Sequence, residues 1–215
     1  MDTENCKSDE VYSVLYERIK KDYYKNGDRI VIRQTAKELG VSPIPVREAI
    51  KRLEMEGYVT TKQYSGPIVC FPDDSQFGDY LELVSVVEGY AARLLAPIIS
   101  KATIEQLRSK YSQMEDALYN LDIKLYSILQ EDFHRIITDA CPNIYIQKEA
   151  ARIFDRMQML RPNAFHRGYS LALRQMQKDN LYLLQLFEEK EDPQIIEAHV
   201  RSLRQPAIDS LKRKQ

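Results

Sequence analysis

Only 7 of the 215 residues are glycine, and no low-complexity run separates one segment from the next. Long β-rich folds need more turn residues than that, so the composition favours helices. Cysteine is as sparse: the 3 present are Cys6, Cys70 and Cys141, with no CxxC pair among them. An odd number at long spacings excludes a disulfide framework and a zinc finger, and it fits a reducing compartment. Excess positive charge is also missing. Lys and Arg total 31 against 32 Asp and Glu, a net charge of −1, so this is not the uniformly basic protein that announces nucleic acid. The most apolar stretch, residues 81–99, is interrupted by Glu82, Glu88 and Arg93 and cannot span a bilayer cheaply. The polar, acidic start from Met1 to Glu10 does not read as a signal peptide, so the expected location is cytoplasmic. The chain has no P-loop or Rossmann fingerprint, and no clustered nucleophile, base and orienting group.

What is present reads as an ordinary globular mixture, 44% hydrophobic and 29% charged, of a length that suits two domains. Charge becomes informative locally. From residue 29 to residue 66 the bases Arg29, Arg33, Lys37, Arg47, Lys51, Arg52 and Lys62 outnumber the acids Glu38, Glu48, Glu54 and Glu56, which permits DNA binding. A first helix is expected from Ser8, with Val11, Val14, Leu15 and Ile19 as its buried stripe, stopping at Asn26-Gly27-Asp28. A second covers 33–39 and a third runs to about Glu56. The β-branched and aromatic runs 58–61 and 67–71, joined by a turn at 62–66, predict a hairpin. The expected domains are 1–72, a linker at 73–76, and an all-helical 77–215. Within the last, helices are expected over 77–97, 103–120, 123–141, 144–160, 169–189 and 193–212, enough for an antiparallel bundle. The fold class is therefore mainly α: a winged helix-turn-helix followed by a helical bundle. The stripe Leu81, Val84, Glu88, Ala91 and Leu95 is either core packing or a dimer seam.

The segment from Ala36 to Ala49 has helix-turn-helix spacing. Ala36 is small where two helices cross, Gly40 can take the left-handed turn conformation, and Val46 locks the third helix onto the second. Ser42 is the expected N-cap, with Pro43 and Pro45 in a first turn whose backbone amides need no intrahelical partner. Val46, Ile50 and Leu53 then share one face, while Ile44, Arg47, Glu48 and Lys51 share the other, a cationic face suited to the major groove. The hairpin would be the wing, with Ser65-Gly66 letting backbone approach DNA.

The run from Leu39 to Val59, LGVSPIPVREAIKRLEMEGYV, resembles the GntR family of bacterial regulators, which typically read LGVSRTPVREAL followed by a Leu and an EG pair. Gly66 and Val69 match its wing. The length and helical remainder resemble the FadR-type branch with an FCD effector domain, through Glu88, Ala91, Ala92 and Leu95, and through Asp132-Phe133-His134 with Asn143. The resemblance implies DNA contacts from Arg33, Ser42, Ile44, Arg47, Lys51, Ser65 and Gly66. It also implies an altered operator preference, because Pro43 and Ile44 stand where the family carries a DNA-contacting Arg and Thr. Ile44 could meet a thymine methyl.

The resemblance further implies a divalent-metal site of one Asp and three His. The matching positions here are Gln130, His134, Asn180 and the neighbourhood of Leu203, one turn beyond His199. Amides in place of charged ligands weaken metal binding greatly, so the site is expected to be degenerate. His134 and His199 are the candidate metal ligands, and a bound metal is the less favoured alternative. The other reading of His134 is a hydrogen-bonded core histidine, and that of His199 a partner of Glu197 or Asp192 at the surface. His166 reads as a surface loop residue. Gln130, His134, Arg156, Arg161, Asn180 and His199 are the candidate effector contacts, the two arginines as grips for a small carboxylate. The cofactor is otherwise unspecified.

The expected function is a non-enzymatic, ligand-responsive repressor or activator, a homodimer on a palindromic operator in double-stranded DNA, with no membrane partner. Two other readings stay open: a winged-helix protein-interaction module that no longer touches DNA, and a metal-dependent helical enzyme.

Overall fold

A computed structural model of the chain describes residues 2–21, 23–62, 65–71, 74–164 and 170–212. The chain divides into two compact units, Met1–Pro72 and Asp73–Gln215. In the first, helix α1 spans Asp2–Lys20, α2 Ile32–Leu39 and α3 Pro43–Met55. Strands β1 (Val59–Lys62) and β2 (Gly66–Val69) pair antiparallel, Val59 opposite Val69 and Lys62 opposite Gly66. Helix α1 therefore starts several residues before Ser8, the expected cap. The wing gains a third edge: Arg29 bridges to Ile68, and the Ile30 amide donates to the Pro67 carbonyl at 2.9 Å. Val11, Leu15, Ile19, Ile30, Ala36, Val46, Ala49, Ile50 and Leu53 are buried together with Val59 and Val69 of the hairpin, as an apolar stripe on each amphipathic element requires.

The second unit is helical: α4 (Asp74–Leu95), a 3-10 turn (Ala96–Ile98), α5 (Lys101–Tyr119), α6 (Ile123–Asp139), α7 (Ile144–Ala164), α8 (Ser170–Glu188), α9 (Pro193–Ser202) and α10 (Gln205–Lys212). Because α4 begins at Asp74, residues 74–76 of the stretch read as a linker are helical. Side chains cap the starts: Ser100 accepts from the Thr103 amide at 3.0 Å, Asp122 from Leu125 at 2.9 Å and Asp192 from Gln194 at 2.7 Å. Helix α7 continues past Leu160, the expected end, to Ala164, so Pro162 falls in its final turn.

The single helix expected over 193–212 is two. Pro206 has no amide for the Ser202 carbonyl, and its ring crowds that carbonyl, so the chain turns at 203–204 and restarts with proline in the first turn. The Arg204 carbonyl accepts from the Ala207 and Ile208 amides at 3.1 Å each, which makes Arg204 the hinge between α9 and α10.

Helix α4 is the central element, packed against α6, α7, α9 and α10. Gly89 explains how closely α9 approaches it. A Cβ there would lie 2.5 Å from Arg201 Cγ and 3.2 Å from the Glu197 carbonyl oxygen. A mid-helix glycine costs about 1 kcal/mol relative to alanine; here the close packing of α9 offsets it. All of Leu81, Val84, Glu88, Ala91 and Leu95 are buried within the chain, so that stripe is core. A different stripe of α4, Leu83, Val86 and Tyr90, is exposed.

Candidate nucleic-acid interface and effector site

Gly40 ends α2 at φ +64°, and the Val41 amide returns to the Ala36 carbonyl at 3.0 Å, giving the turn between the two helices. Ser42 stands at the N-cap of α3, yet its hydroxyl makes no capping bond. An N-cap oxygen accepts from the second or third helical amide; Pro45 removes the third, and the hydroxyl does not take the one that remains, that of Ile44. The serine hydroxyl is left exposed at the tip of α3, and so is Ile44, at 54%.

Beyond that tip, Val46, Ile50 and Leu53 are buried, while Arg47, Glu48 and Lys51 are exposed. Among the described residues neither Arg47 nor Lys51 is in an ion pair, and Arg33 on α2 is likewise exposed. Arg52, one residue on, is tied down. Its guanidinium meets Asp9 at 3.2 Å and Glu56 at 3.3 Å, and stacks 3.7 Å from the Tyr12 ring centroid. The cations of α3 thus split into one that braces α1 against α3 and two that face solvent. Ser65 and Gly66 are half-buried at the start of β2. Arg29, not singled out from the sequence as a contact, is exposed and lies along Gly66, whose Cβ would sit 3.4 Å from Arg29 Nε. The β-bridge that brings Arg29 there is a tertiary pairing with no local sequence signal.

In the helical unit the polar centre is Glu88 on α4, 3% exposed. Arg204 grips it bidentately, Nε to Oε2 at 2.8 Å and Nη2 to Oε1 at 2.7 Å. His134 Nδ1 of α6 lies 3.7 Å from Glu88 Oε1. Burial by itself pushes the Glu88 carboxyl up. The Arg204 charge, then the neighbouring His134 and the arginine hydrogen bonds, outweigh it and hold the group below the usual carboxylate range. A depressed folded-state pKa adds stability that is complete above the unfolded value and disappears as pH falls through the folded one. Between about pH 5 and pH 3, the melting temperature of wild type is expected to fall more steeply than that of Glu88→Gln.

The sequence candidates divide around this centre. His134 is buried within it. Gln130 is half-buried one turn earlier on α6, and Asn180 is buried on α8, its Nδ2 lacking a hydrogen-bond acceptor among the described residues. His199 is placed differently from either expectation. Its Nε2 is 2.9 Å from the Asp179 carbonyl oxygen of α8, with Tyr182 packed edge-on at 4.9 Å. A carbonyl only accepts, so that nitrogen carries a proton and offers no lone pair to a metal. Arg156 lies on α7 with its guanidinium carbon 5.8 Å from the Tyr80 ring centroid. The side chain of Arg161, and all of His166, lie outside the described residues. Arg204 was missed. Two signals pointed to it: a glutamate inside an apolar stripe, which needs a buried partner, and Pro206, which breaks the last helix beside it.

The family model "Bacterial regulatory proteins, gntR family" matches residues 7–69, and that of the FCD domain matches residues 79–204. Among curated relatives, an HTH-type transcriptional regulator in the TAR-I ttuE-ttuC' intergenic region of Agrobacterium vitis is 28% identical over 133 residues, 60% of this chain and 77% of that one. The Nta operon transcriptional regulator of Aminobacter aminovorans is 27% identical over 139 residues, 65% of this chain and 66% of that one. Among solved structures, E. coli McbR/YncC superposes with TM-score 0.74 at 18% identity, covering 97% of this chain and 98% of that one.

Proposed function

Because the chain belongs to the gntR family of bacterial regulatory proteins, with an FCD domain as its C-terminal part, we propose that it acts as a homodimer on a palindromic operator, its DNA affinity set by a small-molecule effector. It is a GntR-type transcriptional regulator; the dimer, the operator symmetry and the contacts are the proposal. One observation carries it: the exposed face of α3 presents Arg47 and Lys51 outside any ion pair among the described residues, beside the uncapped Ser42 and the apolar Ile44. Such a face can read base edges with an arginine and meet phosphates with a lysine. Gly66 and Arg29 would follow the backbone from the wing. The role assigns no catalysis to the chain and places it in the cytoplasm, with the chromosome. No helix of the described residues is long and apolar enough to cross a membrane.

Leu83, Val86 and Tyr90 support the dimer. They form an exposed apolar stripe along α4, opposite its buried face, and two copies of such a stripe are self-complementary about a two-fold axis. Two chains per duplex are expected in light scattering of the complex with a two-fold DNA site. Leu83→Glu with Val86→Glu is expected to give monomers with an unchanged helical spectrum, bound to the same DNA roughly 100-fold more weakly as avidity is lost. A single wild-type chain per duplex argues against the dimer.

A further inference from the structure

The metal set implied by the family resemblance does not fit this domain. At its places stand Gln130, His134, Asn180 and Leu203: two amides, one imidazole and a hydrocarbon, where a divalent ion needs three or four good donors. Among the described residues no three His, Cys, Asp or Glu side chains lie close enough together to hold an ion. What shares Glu88 with His134 is a cation belonging to the chain itself, Arg204.

We propose that Arg204 is a built-in replacement for the divalent ion: its guanidinium supplies the positive charge that Glu88 and His134 face, and the domain takes up no divalent metal. Three observations lead there. Both Glu88 oxygens are already engaged, at 2.7 and 2.8 Å, by Arg204, so this buried carboxylate, 3.7 Å from His134, has its strongest acceptor positions spent. The guanidinium keeps its charge at every accessible pH, and its side chain is only 15% exposed. A second cation near Glu88 would therefore meet like charge with little water to screen it. Finally, Arg204 is fixed in place. It occupies the turn that Pro206 forces between α9 and α10, and its own carbonyl starts α10. An arginine held at both backbone and side chain replaces an ion that would otherwise have to be acquired. Any effector response in this domain then proceeds without metal coordination.

The experiment uses the full chain, freed of any affinity tag, and is independent of DNA binding. Elemental analysis is expected to find far less than one equivalent of Zn, Ni, Mn or Fe per chain. The melting temperature is expected to stay unchanged on adding EDTA or millimolar Zn²⁺, Ni²⁺ or Mn²⁺. Near-stoichiometric metal, or a fall of about 5 °C or more in EDTA, the size expected when a well-occupied site is emptied, would overturn the proposal. Arg204→Ala supplies the converse. It should melt lower than wild type and be raised by Zn²⁺, which can then approach the Glu88 oxygens that Arg204 no longer holds, while wild type is not. A Zn²⁺ effect of equal size on both proteins, or no effect on the variant, counts against Arg204 as the replacement. If the variant does not fold, the wild-type measurements decide alone.

Discussion

Replacing Arg47 and Lys51 together with alanine is expected to weaken specific DNA binding by roughly 30-fold to 20,000-fold, at about 1–3 kcal/mol for each lost contact, with the melting temperature within about 1 °C of wild type. The asymmetry follows from their surroundings. Both side chains are exposed and outside any ion pair among the described residues, so truncating them removes nothing the fold uses. Their neighbour Arg52 is the contrast. Arg52→Ala cuts ties to Asp9 and the Tyr12 ring that join α1 to α3, and to Glu56 at the end of α3, so it should reduce stability while affecting DNA contacts only indirectly. Fluorescence anisotropy with the chain's own upstream DNA reads the first effect, and thermal melts read the second. Lys51→Ala alone should lower the salt slope of binding by about one, as expected for a phosphate contact, whereas Arg47→Ala should relax sequence preference as well. Unchanged affinity in the double variant would favour a winged helix that meets protein instead of DNA.

Arg204→Ala is expected to destabilise the chain by about 3–5 kcal/mol, because it strands the Glu88 carboxylate in the interior. For a protein of this size that lowers the melting temperature by roughly 10 °C. Glu88→Ala should cost about as much by stranding the guanidinium. Removing both charges should cost less than either alone. Replacing the two residues with methionine leaves no buried charge and restores apolar packing, and such exchanges are often neutral or stabilising. Wild type, Arg204→Ala, Glu88→Ala and the variant carrying both alanines form a double-mutant cycle whose coupling energy, measured by urea unfolding, isolates the pair. A double variant as unstable as the sum of the singles would mean that the two residues do not act on each other.

Helix α3 was legible because short-range chemistry determines it. Gly40 needs a left-handed turn, two prolines fit only a first turn, and Val46, Ile50 and Leu53 repeat at helical spacing. The serine cap was legible in position and misjudged in chemistry: Pro45 removes one of the two amides a capping hydroxyl can bond, and the other goes unused. The bundle was legible as helices, its breaks marked by Asn, Asp and Pro. Its polar centre was not, because Glu88 and Arg204 are 116 residues apart and meet only through packing. The apolar stripe of α4 showed that something was buried there, but periodicity alone cannot say what neutralises a carboxylate. His199 illustrates the same limit. Its partner is a backbone carbonyl of α8, and carbonyls have no sequence signature.

The claim on which the rest depends is that α3 reads DNA. Its most direct test is the affinity of the wild-type chain for its own upstream DNA and for a shuffled duplex of equal length, across a range of salt concentrations. Binding to the native duplex should be tighter by about 10³ or more at physiological salt, with both affinities falling steeply as salt rises. Equal affinity for the two duplexes at every salt concentration, or no binding to either, would contradict it.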